Sequence, residues 1–504
     1  MRRGWIRPTL CKDWLFPKTS LDIRGFRRHL PAKTAPCMQQ FPDGLPAPRR
    51  IWAIVTIGLA IFMAVMDSAI ANVALPTIAR DLHTDPANSI WIVNGYQLAI
   101  AISLLPLSAL GDIVTYRRIY MAGLLLFTVA SLICAFSGTF AILAIARVLQ
   151  GFGAAGVMSV NTALLRYTYP HRALGRGIGI NAMVVAVAAA TGPTLAAAIL
   201  SLANWPWLFA VNVPFGVAAL IIGRLALPDS PRGSRRFDYG SALLSAATFG
   251  LLIIGVDTLG HGEGLGLFAC EIAIVAATGT ALVLRQLSLA SPLLPVDLLK
   301  RPIIALSVGT SIMSFLAQML ALVSLPFLLQ NRLGFTAVET GLLMTPWPIA
   351  TGIAAPIAGR LADRYPAGLL GGIGLVCLAG GLYALALMPA HPTADIIVWR
   401  MALCGLGFGI FQSPNNRAMI GSAPLERAGG AAGMLGTARL LGQTMGAALA
   451  ALLFGRMAGR AEVMALFVAG GSALVGAGIS SLRLLELPDA ASPKAEKRRG
   501  KGKS

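Results

Sequence analysis

Four side chains in this sequence carry charge where their neighbours are apolar. Asp67 lies in MAVMDSAIANVALP (63–76), behind the uncharged run IWAIVTIGLAIF (51–62). Arg147, Arg400 and Arg439 lie inside later apolar runs. An aspartate near the centre of a membrane helix costs about 2.5–3.5 kcal/mol on insertion scales, which makes it a functional candidate by default. The chemistry open to it is proton exchange, or half of a structural ion pair. A buried arginine keeps its proton and needs a partner, and Arg147 is the candidate for Asp67. A second group is polar and aromatic: Trp91, Asn94, Tyr96 and Gln97 in one run, and Trp347 in a later one. Aromatic faces attract lipophilic cations by about 0.5–2 kcal/mol. These five are the substrate-cavity candidates, with helix packing and interfacial anchoring as the competing reading.

The elements that must position these residues are membrane helices. Of 504 residues, 56% are hydrophobic and 12% charged, against about 25% charged in a soluble domain. About 20 apolar residues cross a bilayer. Fourteen runs qualify: 51–75, 90–110, 118–137, 140–162, 176–201, 206–226, 240–258, 266–286, 303–328, 337–359, 368–389, 395–422, 429–455 and 463–483. With the N-terminus inside, 34 of the 41 Lys and Arg fall in inside segments and four outside. That split orients the chain with both termini cytoplasmic. It also accounts for the net charge of +20 without nucleic acid. Asp257, Glu263 and Glu271 then fall at the outer ends of the seventh and eighth spans, as a solvated loop. Residues 1–50 and 486–504 read as basic cytoplasmic tails, with Met38 as an alternative start. The six cysteines form no CxxC pair, so neither a disulfide framework nor a zinc site is expected. There is no GxxxxGK[ST] loop for ATP and no catalytic triad or metal constellation. The chain is expected to be no enzyme and to need no cofactor.

An internal repeat organises the spans. Set against the stretch that opens at Arg400, the stretch that opens at Arg147 matches at a shift of 254 residues, which pairs Gly151 with Gly405, Gly153 with Gly407, Ser159 with Ser413, Asn161 with Asn415, Pro170 with Pro424, Gly175 with Gly429 and Gly179 with Gly433. LGD at 110–112 answers LAD at 361–363, at a shift of 251. Spans 1–6 and 9–14 therefore read as two parallel halves, with spans 7 and 8 inserted. Two such halves about a midplane site are the architecture of alternating access.

Five motifs resemble the major facilitator superfamily, and within it the fourteen-span drug:proton antiporter family. The resemblance covers roughly 51–485. MDSAIANVALP (66–76) is similar to the family's first-span motif at Asp67, Asn72 and Val73–Pro76, where the aspartate is implicated in proton coupling. LSALGDIVTYRRIYMAG (107–123) resembles the superfamily loop between spans 2 and 3 at Leu110, Asp112, Arg117 and Arg118. Ser108 and Thr115 stand where that loop has glycines. GRLADRYP (359–366), with Asp363 and Arg364, is a better copy. The resemblance makes these carboxylates and arginines a cytoplasmic latch between the halves. Arg147, Gln150, Gly151 and Gly153 match the fourth-span pattern, which gives Arg147 a coupling role. Gly192 and Pro193 in ATGPTLAAA (190–198) resemble the antiporter bend of the fifth span. NWPWLFAVNVPFG (204–216) is similar to the opening of the sixth span at Trp207, Phe209, Asn212, Pro214 and Gly216.

The expected fold is thus an all-α membrane protein of fourteen transmembrane helices. Its parts are a six-helix bundle over 51–226, a linker with two inserted helices over 227–302, and a second six-helix bundle over 303–485. The expected function is proton-driven export of lipophilic, cationic drugs, biocides or dyes across the inner membrane. Its partners are a small-molecule substrate, protons and the bilayer, and it is expected to act as a monomer. Export of a specific metabolite or siderophore is the alternative within transport. A non-transporting membrane sensor is the alternative from another class.

Overall fold

In hydrocarbon a backbone must satisfy its own N–H and C=O groups, so each apolar run is driven to form a helix. The computed structural model describes residues 44–230, 237–261, 265–289, 295–423, 427–457 and 459–485. Residues 1–43 of the first tail with Met38, the second tail, Glu263 and the side chain of Asp257 lie outside the described residues, whereas 47–50, expected in the first tail, open α1. The chain runs through α1 (Ala47–Asp81), the short α2 (Pro86–Ser89), α3 (Trp91–Val114), α4 (Tyr116–Ala135), α5 (Phe140–Thr168) and α6 (Leu174–Leu202). A short α7 (Trp207–Ala210) leads into α8 (Asn212–Ala226), followed by α9 (Tyr239–His261), α10 (Leu265–Ser288) and α11 (Pro302–Phe327). Then come α12 (Ala337–Met344), α13 (Pro346–Leu361), α14 (Ala367–Ala386), α15 (Ala394–Gly421), α16 (Ala428–Arg456) and α17 (Ala461–Leu482).

Among the described residues, 13 stretches are long and apolar enough to cross a membrane. Within α9, Tyr239–Leu252 forms a shorter apolar helix. Each of the fourteen expected spans therefore has a helix. Several outrun their apolar core. At about 1.5 Å per residue, the 35 residues of α1 reach well beyond a hydrocarbon layer of about 30 Å. Arg80, expected in a loop, sits in the last turn of α1 and donates from Nε to the Pro76 carbonyl at 3.2 Å. Large apolar side chains face outward along the spans, among them Leu125, Val129, Ile145, Ile353 and Ile357, as a lipid-facing surface requires.

The repeat reappears as equivalent packing. A Cβ on Gly151 would collide with the Tyr96 carbonyl of α3, and one on Gly405 with the Trp347 carbonyl of α13. A Cβ on Gly153 would strike the backbone at Phe127 in α4, and one on Gly407 the backbone at Leu378 in α14. Small residues let helices approach this closely. Tyr96 and Trp347, picked from the sequence separately, occupy corresponding places 251 residues apart.

Thr115 separates α3 from α4 at φ 151°, ψ 144°. This backbone region belongs almost entirely to glycine, and Thr115 is one of the two positions where the resembled loop has glycine. Its hydroxyl accepts the Arg118 N–H at 3.4 Å and caps α4. Glu271 departs from expectation. It lies within α10 rather than in a solvated loop, and a Cβ on Gly255 of α9 would sit 3.3 Å from its Oε2.

Candidate functional site

Four helices bring a polar cluster together inside the protein. α1 supplies Asp67, α4 Ser131, α5 Arg147 and Gln150, and α8 Asn212. All five are at most 1% exposed. Arg147 Nη1 forms an ion pair with Asp67 Oδ2. Asp67 Oδ1 accepts from Gln150 Nε2 at 2.9 Å and from Asn212 Nδ2 at 2.8 Å. Gln150 is the hinge of the network: its Nε2 also reaches Ser131 Oγ at 2.9 Å, and its Oε1 accepts from Arg147 Nη1 at 2.6 Å. Arg147 Nε donates to the Ile92 carbonyl of α3 at 3.0 Å.

Aromatic rings complete the cage. The Arg147 guanidinium carbon lies 4.2 Å from the Tyr96 ring centroid and 5.5 Å from that of Phe209. Tyr96 is held by its hydroxyl, which donates to the Ala64 carbonyl of α1 at 2.9 Å. The guanidinium is thus bound by one carboxylate, one amide, one carbonyl and two ring faces, while its Nη2 has no hydrogen-bond partner. The pair is neutral as long as Asp67 is ionised. A proton on Asp67 cancels an attraction of about 4 kcal/mol, the value for two unit charges 4 Å apart at an effective dielectric near 20.

The bend residues lie close by. A Cβ on Gly192 would stand 2.5 Å from that of Ala69, two residues beyond Asp67, so α6 presses on α1 beside the carboxylate. The Pro193 carbonyl lies where α12 approaches, 2.5 Å from a Cβ built on Gly341. Thr194 and Thr345 hydroxyls meet at 2.8 Å. At the same end of α1, Gln330 Nε2 donates to the Val73 carbonyl at 2.9 Å, and its Oε1 accepts from Thr77 and Arg80, both at 3.3 Å. These contacts join α1 and α6 to α11 and α12.

The expected latch residues make more local contacts. Asp112 accepts from Tyr116, one turn away. Arg117 pairs with Asp229 at 2.9 Å and also donates to the Arg224 carbonyl. Asp363 pairs with Arg417 of α15. Arg118 and Arg364 are exposed. None of these ion pairs joins α1–α8 to α11–α17. Of the cavity candidates, Asn94 is fully buried with neither amide atom partnered, Gln97 is buried, and Trp347 is buried with its Nε1 unpartnered. Trp91 is partly buried at the start of α3. The sequence reading missed what Ser131 and Asn212 do. Asn212 was visible as a motif match, whereas nothing marks Ser131 among the serines of apolar helices. The inserted helices carry their own pair: Arg285 Nη2 of α10 lies 2.7 Å from Asp238 Oδ1 at the foot of α9. Hydrogen bonds from Arg285 hold the Asp238 carboxyl down to about 2, below the usual range.

Comparison with known proteins gives this geometry a context. The chain is 56% identical over 448 residues to an uncharacterized transporter of Escherichia coli (strain K12), YebQ, covering 88% of this chain and 98% of that one. It is 31% identical over 418 residues to the tetracenomycin C resistance and export protein of Streptomyces glaucescens, covering 81% and 77%. It is 28% identical over 404 residues to the riboflavin transporter RibZ of Clostridioides difficile (strain 630), covering 80% and 87%. A bacterial homologue of the human lysosomal transporter Spinster, crystallised inward-facing and unoccupied, shares the fold. Its TM-score is 0.59 at 16% identity, over 87% of this chain and 96% of that one. The model of the Major Facilitator Superfamily matches residues 57–447, so this multi-pass membrane transporter belongs to the major facilitator superfamily.

Proposed function

We propose that this protein is a proton-coupled antiporter that exports amphiphilic, drug-like molecules by alternating access of two six-helix halves, α1–α8 and α11–α17. The observation that carries the reading is the buried Asp67–Arg147 pair with Gln150 and Asn212 on the same carboxylate. A carboxylate inside a membrane helix is a proton-relay candidate. Here it sits where α6 presses on α1, so its protonation state bears on the helices that a rocking motion must move.

The contacts between the halves fit one end-state of that cycle. Gln330, Thr345 and Gly341 tie α11 and α12 to α1 and α6 at one end. At the other end the pairs at Arg117 and Asp363 stay within their own halves. The Lys and Arg distribution favours the cytoplasm for that second end, so the cytoplasmic ion pairs do not bridge the halves in this state, with both termini on the cytoplasmic side of the plasma membrane. A latch across the halves at Asp112 and Asp363 then belongs to another state of the cycle. Export is supported by the Gly192–Pro193 bend and by the likeness to a resistance and export protein. A lipophilic cation, the expectation from the sequence, has aromatic faces available. It has no free carboxylate at the pair, because Asp67 is engaged by three donors.

The test uses everted membrane vesicles energised with an inward-acid gradient and loaded with a panel of fluorescent drugs. The wild type is expected to accumulate at least one of them, and an uncoupler is expected to release it. Accumulation that ignores the uncoupler, or that Asp67→Asn supports at the wild-type rate, refutes the coupling.

A further inference from the structure

The seam between α3 and α16 carries polar groups that bind nothing. On α3, Asn94, Gln97, Ala101 and Leu104 follow the i, i+3, i+7, i+10 spacing of one helical face. On α16, Gly436, Arg439, Leu440 and Gln443 share a face by the same rule. The two faces meet. A Cβ on Gly436 would lie 3.9 Å from the Leu104 side chain. Leu440 belongs to the core cluster that holds Tyr96 and Ile100.

Arg439 is twelve residues into a 29-residue helix, near mid-height. It interacts electrostatically with the Tyr96 phenol. Among the described residues it has no ion pair and no hydrogen bond. Asn94 is wholly buried with both amide atoms unpartnered, and Gln97 is 4% exposed. Arg439 is partly buried; a guanidinium within a membrane protein without a counter-charge is costly, and the unpartnered buried amides add to that cost. Arg147 escapes it through Asp67. Between Asn94 and Leu104 on α3, and between Gly436 and Gln443 on α16, the seam has no aspartate or glutamate.

A ligand that brings the missing charge and acceptors would relieve these groups together. We infer that the cargo carries an acidic oxygen group, a carboxylate or phenolate on an aromatic frame, which docks on Arg439 with Asn94 and Gln97 beside it. Guanidinium matches carboxylate oxygens in a two-point fork, and the Tyr96 ring offers the adjoining aromatic wall. The inference rests on the transport reading above, because it assigns the charge of what that transporter moves. It runs against a cationic cargo, which Arg439 would repel.

Binding tests it apart from transport. The full chain in nanodiscs is titrated with two xanthene dyes of similar shape and opposite charge, fluorescein and rhodamine 123, followed by anisotropy. Fluorescein is expected to bind about tenfold or more tightly than rhodamine 123. Arg439→Gln is expected to weaken fluorescein about tenfold, a difference of about 1.4 kcal/mol, while Arg439→Lys stays within about threefold. The lysine variant separates loss of charge from misfolding. Wild-type preference for rhodamine 123, binding of neither dye, or an Arg439→Gln variant that binds fluorescein as tightly as the wild type each overturns the inference. Failure of the proton reading appears elsewhere, in gradient-driven accumulation by Asp67→Asn, and leaves the dye preference untouched.

Discussion

Replacing Asp67 by asparagine keeps the volume of the side chain and removes its charge. In the native site one oxygen accepts from Gln150 and Asn212 and the other pairs with Arg147. Asparagine retains a single acceptor, so an amide nitrogen must face a donor. Arg147 keeps its positive charge with only Gln150, the Ile92 carbonyl and two ring faces to hold it. Removing one member of a buried ion pair costs about 3–5 kcal/mol, because the other is left uncompensated. Asp67→Asn is expected to lose about that much, and Arg147→Gln a similar amount by stranding the carboxylate. The double variant removes both charges, so its loss should fall short of the sum by about 1–3 kcal/mol. The assay is a double-mutant cycle on purified protein, unfolded in parallel series, together with gradient-driven accumulation in vesicles. Both single variants and the double variant should lose accumulation even where stability recovers, because Asp67→Asn fixes the site in its uncharged form. Additivity within about 0.5 kcal/mol would refute the pair. Stability recovered together with transport would refute the proton site.

Four further outcomes follow from particular contacts. Gly192→Val should push α6 off α1 beside Asp67, costing about 1–3 kcal/mol as overpacking and lowering transport more than it lowers melting temperature. Thr115→Gly should raise thermal stability by about 1–3 kcal/mol, since it removes a threonine from a glycine-only backbone region; an unchanged melting temperature would count against that strain. Asp238 has its carboxyl depressed to about 2 by Arg285, so the pair stabilises α9 against α10 above the ordinary carboxylate range and loses that effect as pH falls through about 2. The melting temperatures of Asp238→Asn and wild type should therefore differ slightly at neutral pH and converge towards pH 2, the difference being small because Arg285 is 46% exposed. Finally, a monoanion leaving against one proton carries two charges across the membrane in the same sense, whereas a monocation leaving against one proton carries none. A potassium diffusion potential imposed on vesicles should accelerate transport of an acidic dye, and indifference to potential would argue for a cation.

How much of this could be read from the sequence follows from what each residue costs where it sits. Asp67 and Arg147 stood out because charge in an apolar run is expensive, and expense predicts a partner. Ser131 and Asn212 cost little in a helix, so nothing in their surroundings announced that they converge on the pair from α4 and α8. The repeated glycines marked two equivalent crossings, but only coordinates show that they land on Tyr96 and Trp347. The latch residues illustrate a different limit. Asp112, Arg117 and Asp363 carry the right chemistry to bridge two halves, and the structure pairs them with Tyr116, Asp229 and Arg417 instead. A carrier has at least two states, and one sequence encodes the contacts of both. The length of α1 and the placement of Glu271 were obscured by hydropathy, which reports where lipid ends and not where a helix does.

The repeat duplicated the scaffold without duplicating the carboxylate of its first span. Arg147 and Arg400 each open a repeated stretch but stand one residue out of the register that pairs the glycines, and α11 holds no acidic residue to answer Asp67. Arg400 accordingly keeps its Nε and Nη1 buried and unpartnered, with the Trp399 ring 5.1 Å away. Proton binding in this reading belongs to the first half alone, and the second half contributes positive charge, Arg439 included. The two meet at Tyr96. One face of its ring supports the Arg147 guanidinium at 4.2 Å, its backbone receives Gly151, and its phenol interacts with Arg439. When a proton on Asp67 loosens Arg147, Tyr96 is the shared wall between that event and the α3–α16 seam.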